Sequence, residues 1–122
     1  MSRRTLERRR AARERWPNLA NLLTCYFNQD YNLLYGSIGG AFAAAMAEAP
    51  LELRRTMLRE WRDWQAVEGL NNEDLRRFVN DGFGVDLYFK KPLDARNFMN
   101  RVYDEMIASV RAETGRQGDA AP

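Results

Sequence analysis

Residues 26–37 of this chain, from Tyr26 to Ser37, read YFNQDYNLLYGS. This stretch combines four aromatic side chains with amide and carboxylate groups, and it lies between two segments whose apolar residues recur at helical spacing. A linker that only joined two helices would be shorter and would consist of ordinary turn residues. We therefore expect residues 26–37 to form a packed corner, a binding surface, or both.

The segments on either side of this corner have the features of helices. The first helix is predicted over about residues 18–27, with Asn18 as its N-cap. Its buried stripe consists of Leu19, Leu22, Leu23 and Tyr26. Ser37 is expected to cap a second helix over residues 38–48. Because glycine and alanine make this second helix thin, we expect it to lie in the middle of the packing.

Three more helices are predicted in the rest of the chain. The third covers about residues 50–67, with Pro50 in its first turn and with Trp61 and Trp64 in its buried stripe. The fourth, over residues 71–82, is short, and Asn71 is its expected cap. The last, over residues 94–111, has a continuous apolar stripe.

Residues 85–89 alternate apolar and polar side chains, but a single strand would have no partner. The chain is therefore predicted to be all-α, a small compact bundle of about five helices with an irregular aromatic corner after the first helix. Its 122 residues suit one domain. We divide them into a basic N-terminal arm (1–15), a single helical domain (16–112) and a flexible tail (113–122).

The N-terminal arm is strongly basic. Residues 1–16 contain seven arginines and two glutamates, a charge of +5, whereas the remaining residues contain 12 basic and 15 acidic side chains, a charge of −3. With almost no apolar face, the arm is a marginal helix that we expect to fray or to form only where it docks. Clustered arginine can bind nucleic acid, but a solvated extension is the preferred interpretation, because the arm lacks interleaved aromatics and the body behind it is acidic.

The composition argues against an enzyme. The chain has no histidine, which removes the commonest general base and metal ligand. It has no phosphate loop, and we predict no metal ion and no cofactor.

The single cysteine, Cys25, is expected to be a packed structural thiol, and a reducing compartment follows. No apolar run is long enough to cross a bilayer and no signal peptide is visible, so a cytoplasmic protein is predicted.

The motif in the corner resembles a known family. The motif consists of a leucine-rich lead-in followed by Tyr26-Phe27, Gln29-Asp30-Tyr31 and Tyr35-Gly36-Ser37. It is similar to a motif of immunity proteins of bacterial contact-dependent growth inhibition systems, the CdiI type. Members often have histidine at the position of Asn28 and tryptophan at the position of Tyr31. The resemblance covers roughly residues 16–110, without the arm and the tail.

The resemblance implies a protein that binds the toxic C-terminal domain of a cognate effector and blocks it stoichiometrically, and many of those toxins are nucleases. A nuclease active site is basic, so a blocker should present carboxylates to it. The candidate partner-binding residues are Asp30, Tyr31, Tyr35, Asp86, Asp104 and Glu105. The motif residues also have a purely structural interpretation, which we favour, in which they pack the helix–helix corner. Binding of nucleic acid through the arginine arm is the alternative function.

Overall fold

The computed structural model describes residues 2–120, with the side chains of residues 2–115. It confirms the predicted all-α class, because helices account for the regular structure of that range and no strand occurs in it. The α-helices are α1 (Arg3–Arg15), α2 (Pro17–Tyr26), α3 (Tyr31–Tyr35), α4 (Ile38–Glu48), α5 (Leu51–Trp64) and α6 (Pro92–Ala120). Two π-helical turns follow α5, at Gln65–Gly69 and Phe78–Gly82. None of the helices in residues 2–120 has the length and apolar character that crossing a membrane requires.

The core is centred on α5 and α6, and both tryptophans of α5 belong to it as predicted. Trp64 is fully buried, and Trp61 is nearly so. The indole Nε1 of Trp61 donates a hydrogen bond of 2.9 Å to the carbonyl oxygen of Met99 in α6. Its ring stacks on Tyr103, with the ring centroids 4.5 Å apart. The polar edge of each buried ring is therefore satisfied inside the protein, which is why such large side chains can be core residues.

The cap of α2 differs from the prediction. Trp16, not Asn18, occupies the N-cap, and its side chain makes no capping bond. The carboxylate of Glu60 in α5 instead accepts hydrogen bonds from the backbone N–H groups of Asn18 and Leu19, both at 2.9 Å. The side-chain amide of Asn18 donates to the same carboxylate at 2.7 Å. The start of α2 is thus capped from another helix, which also places a negative charge at the positive end of the helix dipole.

The arginine-rich arm is a docked helix, so the preferred interpretation of a solvated extension is wrong. Ala12 is buried, and the carboxylate of Asp81 accepts from the Thr5 hydroxyl at 3.3 Å and from Arg8 at 3.5 Å. Arg9 donates to the Asp81 carbonyl oxygen at 3.1 Å. Contacts to the Phe78–Gly82 turn supply the stability that the composition of α1 lacks. They also engage Arg8 and Arg9, two of the seven arginines of residues 1–16.

A second contact joins the end of α1 to α5. The carboxylate of Asp63 accepts from Arg15 Nε at 2.8 Å and from the Trp16 indole Nε1 at 2.7 Å. The hydrogen bond from Arg15, followed by that from Trp16, lowers the pKa of Asp63 below its ordinary value of 3.8. The charged form of Asp63 is therefore the form that holds the α1–α2 junction to α5.

This shift predicts an acid-sensitive junction. Because the pKa of Asp63 is lower in the folded than in the unfolded chain, its contribution to stability is present above about pH 4 and is lost as the pH falls through the folded value. The NMR shift of the Trp16 indole N–H should titrate with a midpoint below 3.8. In Asp63→Asn that titration should disappear. A midpoint above the ordinary carboxyl value would contradict the assignment.

The predicted start of the fourth helix is wrong. Asn71 does not start the fourth helix; its side-chain amide donates to the carbonyl oxygens of Ala66 and Val67, and so closes the preceding π-helical turn. Before the second π-helical turn, the carboxylate of Asp74 accepts a hydrogen bond of 3.1 Å from the backbone N–H of Arg76. The Arg76 guanidinium, bonded to the same carboxylate, lowers the pKa of Asp74 to about 2. Asparagine suits either end of a helix, and only the tertiary path of the chain decides between them.

Cys25 is exposed rather than packed, because α2 turns Leu19, Leu22 and Leu23 inward and leaves position 25 on the outer side.

At the other end of the chain, α6 continues to Ala120, beyond the predicted end near residue 111. The predicted tail of residues 113–122 is therefore helical as far as residue 120. Residues 121 and 122 of that tail lie outside the described residues.

Candidate partner-binding surface

The aromatic corner is organised around Phe27, which is fully buried at the end of α2. The centroid of its ring lies 4.8 Å from that of Phe42 in α4, 5.1 Å from that of Phe98 in α6 and 6.3 Å from that of Tyr31 in α3. Its carbonyl oxygen accepts a hydrogen bond of 2.7 Å from the backbone N–H of Asp86. One residue therefore joins three helices and the segment of residues 83–91 to α2.

The short helix α3 turns its two tyrosines towards the body. Tyr35 packs on Tyr26, with ring centroids 5.4 Å apart, and the Tyr26 hydroxyl donates to the Glu48 carboxylate. Gly36 ends α3 with a positive φ of 79°. A Cβ at Gly40 would lie 2.1 Å from the Tyr35 carbonyl oxygen, so only glycine allows α4 to start this close to α3.

Ser37 caps α4 as predicted, since its hydroxyl accepts from the Gly40 N–H at 3.0 Å. The corner is thus a tightly closed turn whose structural interpretation is supported by its contacts. Because both tyrosines of a five-residue helix face inward, its leucines face outward. Leu33 is 88% exposed and Leu34 is 61% exposed.

A groove of about 470 Å3 lies beside α3, and we call it the α3 groove. Its walls come from α3, α4, the segment before α6 and the first turns of α6. The lining residues are Tyr31, Ile38, Leu87, Tyr88, Phe89, Asp94, Asn97, Phe98 and Arg101. The lining combines apolar side chains with the polar groups of Asp94, Asn97 and Arg101. The guanidinium of Arg101 lies 5.1 Å from the centroid of the Phe42 ring.

Large apolar side chains around this groove remain exposed. Tyr88 is 88% exposed, and Leu93, in the first turn of α6, is 60% exposed. We call Leu33, Leu34, Tyr88 and Leu93 together the apolar rim. Each of these four residues lies on an element that supplies a wall of the groove, and several exposed large apolar side chains on one part of a small protein mark a candidate interaction site.

The structure brings four of the six predicted partner-binding residues to the corner. Asp30 is exposed at the start of α3, and Tyr31 lines the α3 groove. Asp86 lies beside them because its N–H is bonded to the carbonyl oxygen of Phe27. Tyr35 is half-buried against Tyr26, so its ring serves the corner more than an outer surface.

The other two predicted residues lie on α6. Glu105 follows Arg101 by one turn and pairs with it at 3.7 Å, and Asp104 is exposed next to it. Residues 94, 97, 101, 104 and 105 follow one another at helical spacing, so both acids extend the face of α6 that lines the groove. Among the described residues, the carboxylates of Asp30, Asp86 and Asp104 have no ion pair.

Sequence reasoning missed Leu33, Leu34 and Tyr88. For the two leucines one signal was present in the sequence. Leu33 and Leu34 lie in a five-residue segment between the turn residues 28–30 and 36–37. So short a helix cannot bury its tyrosines and its leucines at the same time, which leaves one of the two sides exposed. For Tyr88 the alternation of residues 85–89 was a signal, because it places Tyr88 on the same side as Asp86 and opposite Val85 and Phe89. No three His, Cys, Asp or Glu side chains in the described part of the chain are close enough to share a metal ion.

The fold and this surface define a small helical protein with the features of a binding partner for another protein. Residues 15–106 match the model of the CdiI immunity protein family. The chain therefore belongs to the CdiI immunity protein family, which confirms the resemblance read from residues 26–37. No curated protein matches the chain.

A solved structure agrees with this assignment. It is described as the crystal structure of a CdiA-CT/CdiI complex from Y. kristensenii 33638. The similar chain is 26% identical to this one, with a TM-score of 0.65, and the match covers 77% of this chain and 95% of that chain. The family match begins at the end of α1 and stops at Met106, within α6.

Proposed function

We propose that this chain neutralises the toxic C-terminal domain of a cognate contact-dependent growth inhibition effector by binding it in the cytoplasm. The family match over residues 15–106 carries the proposal, and the similar solved chain was crystallised with a CdiA-CT partner. The chain acts stoichiometrically and without catalysis, as a blocker of one partner surface.

The partner we infer is a nuclease domain. A nuclease binds a polyanion and so presents a basic surface, which attracts a blocker that carries unpaired carboxylates. Asp30, Asp86 and Asp104 are exposed and without ion pairs among the described residues, and they lie on or next to the walls of the α3 groove. Their charges raise the association rate and select against neutral partners.

Co-expression with the toxin domain encoded next to the gene tests the proposal. Cells that express the toxin domain alone should stop growing, and cells that also express this chain should recover. The purified toxin domain should degrade RNA or DNA, and an equimolar amount of this chain should stop the degradation. A toxin that leaves both nucleic acids intact, yet is neutralised, would contradict only the nuclease assignment. Absence of rescue and of a complex on gel filtration would contradict the immunity function itself.

Asp30 is the acid with the largest expected effect on this binding. Asp30→Ala should weaken binding by about 2 kcal/mol or more, because it leaves a cation of the toxin domain without its partner in the complex. Isothermal titration calorimetry measures the loss. Glu7→Ala is the matched control: Glu7 is an exposed acid on α1, outside the matched region, and its removal should leave the affinity unchanged. If Asp30→Ala lowers thermal stability but not affinity, Asp30 is a residue of the corner and not of the interface.

A further inference from the structure

We propose that the apolar rim and the α3 groove are the centre of the toxin interface, and that an apolar side chain of the toxin domain enters the groove. This inference rests on the proposed function and names the surface that performs it. The acidic residues of the motif then form the flank of the interface, while Leu33 and Tyr88 make its central contacts.

The distribution of exposed apolar residues supports this location. Among the described residues, seven large apolar side chains are exposed, and four of them form the apolar rim. The other three, Leu6, Leu53 and Leu70, lie apart on α1, on α5 and after the first π-helical turn. Single exposed leucines are normal on a protein surface, whereas four exposed apolar side chains on the elements that wall one groove indicate a contact site.

The local structure explains why the rim stays exposed. Tyr31 and Tyr35 bind α3 to the body through Phe27 and Tyr26, so the opposite side of α3 has nothing to pack against. The groove beside it has both apolar and polar walls, and its Arg101 guanidinium can donate to a backbone carbonyl or carboxylate. A protein segment that offers an apolar side chain together with such an acceptor fits these walls.

Family membership favours the toxin domain over a second copy of this chain as the occupant, because the similar solved chain was crystallised with a CdiA-CT partner. Asp30 and Asp86 flank the rim without ion pairs among the described residues. Lys90 and Lys91, between Tyr88 and Leu93, are exposed as well, so both signs of charge occur around the rim. Cations of the toxin domain would pair with Asp30 and Asp86 while its apolar side chain covers the rim.

Leu33→Asp and Tyr88→Asp test the inference by calorimetry with the toxin domain. Both positions are almost fully exposed, so the fold should be retained, which thermal denaturation checks. Each variant should raise the Kd roughly 30-fold, the size of a central interface contact. Leu70→Asp is the matched control, because Leu70 is 72% exposed but lies outside the rim. Its Kd should stay within about twofold of the wild type.

The outcomes separate this inference from the proposed function. If the wild-type chain binds the toxin domain and rescues growth, but both rim variants bind as the control does, the rim is not the interface and the proposed function stands. If the wild type neither binds nor rescues, the proposed function fails and this inference fails with it. If the chain alone sediments as a dimer that Leu33→Asp dissociates, the occupant is a second copy and the inference is overturned.

Discussion

Phe27→Ala should lower the free energy of unfolding by about 4 kcal/mol, within the range of large-to-alanine changes in a closed core. Phe27 is fully buried, and its ring contacts those of Phe42 and Phe98 at centroid distances of 4.8 and 5.1 Å. Alanine removes the transfer free energy of the ring and leaves a cavity between α2, α4 and α6. Because α4 and α6 also supply walls of the α3 groove, the loss should spread to the partner-binding surface.

Urea denaturation followed by circular dichroism measures this loss. Leu33→Ala is the control from the same corner: its side chain is 88% exposed, so its effect should be within about 0.5 kcal/mol. If Phe27→Ala does not fold, Phe27→Leu keeps most of the apolar volume and should show a smaller loss in the same direction. Equal stability of Phe27→Ala and Leu33→Ala would show that Phe27 does not organise the corner.

Arg54→Met should cost about 3 kcal/mol, because it removes the donor from a buried polar cluster. Arg54 is only 5% exposed. Its guanidinium donates to the Ala49 carbonyl oxygen at 3.0 Å, to the Ser109 hydroxyl at 2.6 Å and to the Glu113 carboxylate at 2.5 Å. Methionine fills similar space but supplies no donor, so the carbonyl oxygen and the hydroxyl lose a partner that water replaces only in part.

Arg55→Met is the matched control for Arg54, at the neighbouring position. Arg55 makes an ion pair with Glu52 one turn earlier, on the surface, and such pairs contribute little. Its replacement should change stability by about 0.5 kcal/mol at most. Hydrogen exchange adds a local measurement: amides near Ser109 and Glu113 should exchange faster in Arg54→Met only. Similar exchange in both variants would contradict a role for Arg54 in holding the C-terminal half of α6.

Sequence reasoning predicted the helices where local signals agree. The apolar stripes of α5 and α6 follow a helical period, so Trp61, Trp64 and Phe98 were expected in the core and are buried there. The cap at Ser37 was predictable because its bond to the Gly40 N–H spans three residues. Capping by Glu60 was not predictable, since this carboxylate lies 41 residues from the Leu19 N–H that it accepts from.

The candidate surface was predicted in part. The corner motif pointed to Asp30 and Tyr31. Asp86 was also predicted, and the hydrogen bond from its N–H to the carbonyl oxygen of Phe27 is what brings it to the corner. The exposed Leu33 and Tyr88 were missed because an apolar residue in a sequence is expected to be buried. Whether it finds a partner depends on which elements cover it, and α3 is covered on one side only.

The residues of the chain by themselves determined the helical class, the main buried stripes and the family, because period, caps and the motif of residues 26–37 are local properties. Only the tertiary structure decided that α1 docks, that Glu60 caps α2 and that a groove opens beside α3. These depend on pairs far apart in the chain, such as Arg8 and Asp81, which are separated by 73 positions. A local pattern shows which side chains can form a contact, but the packing of the whole domain determines which partner each one reaches.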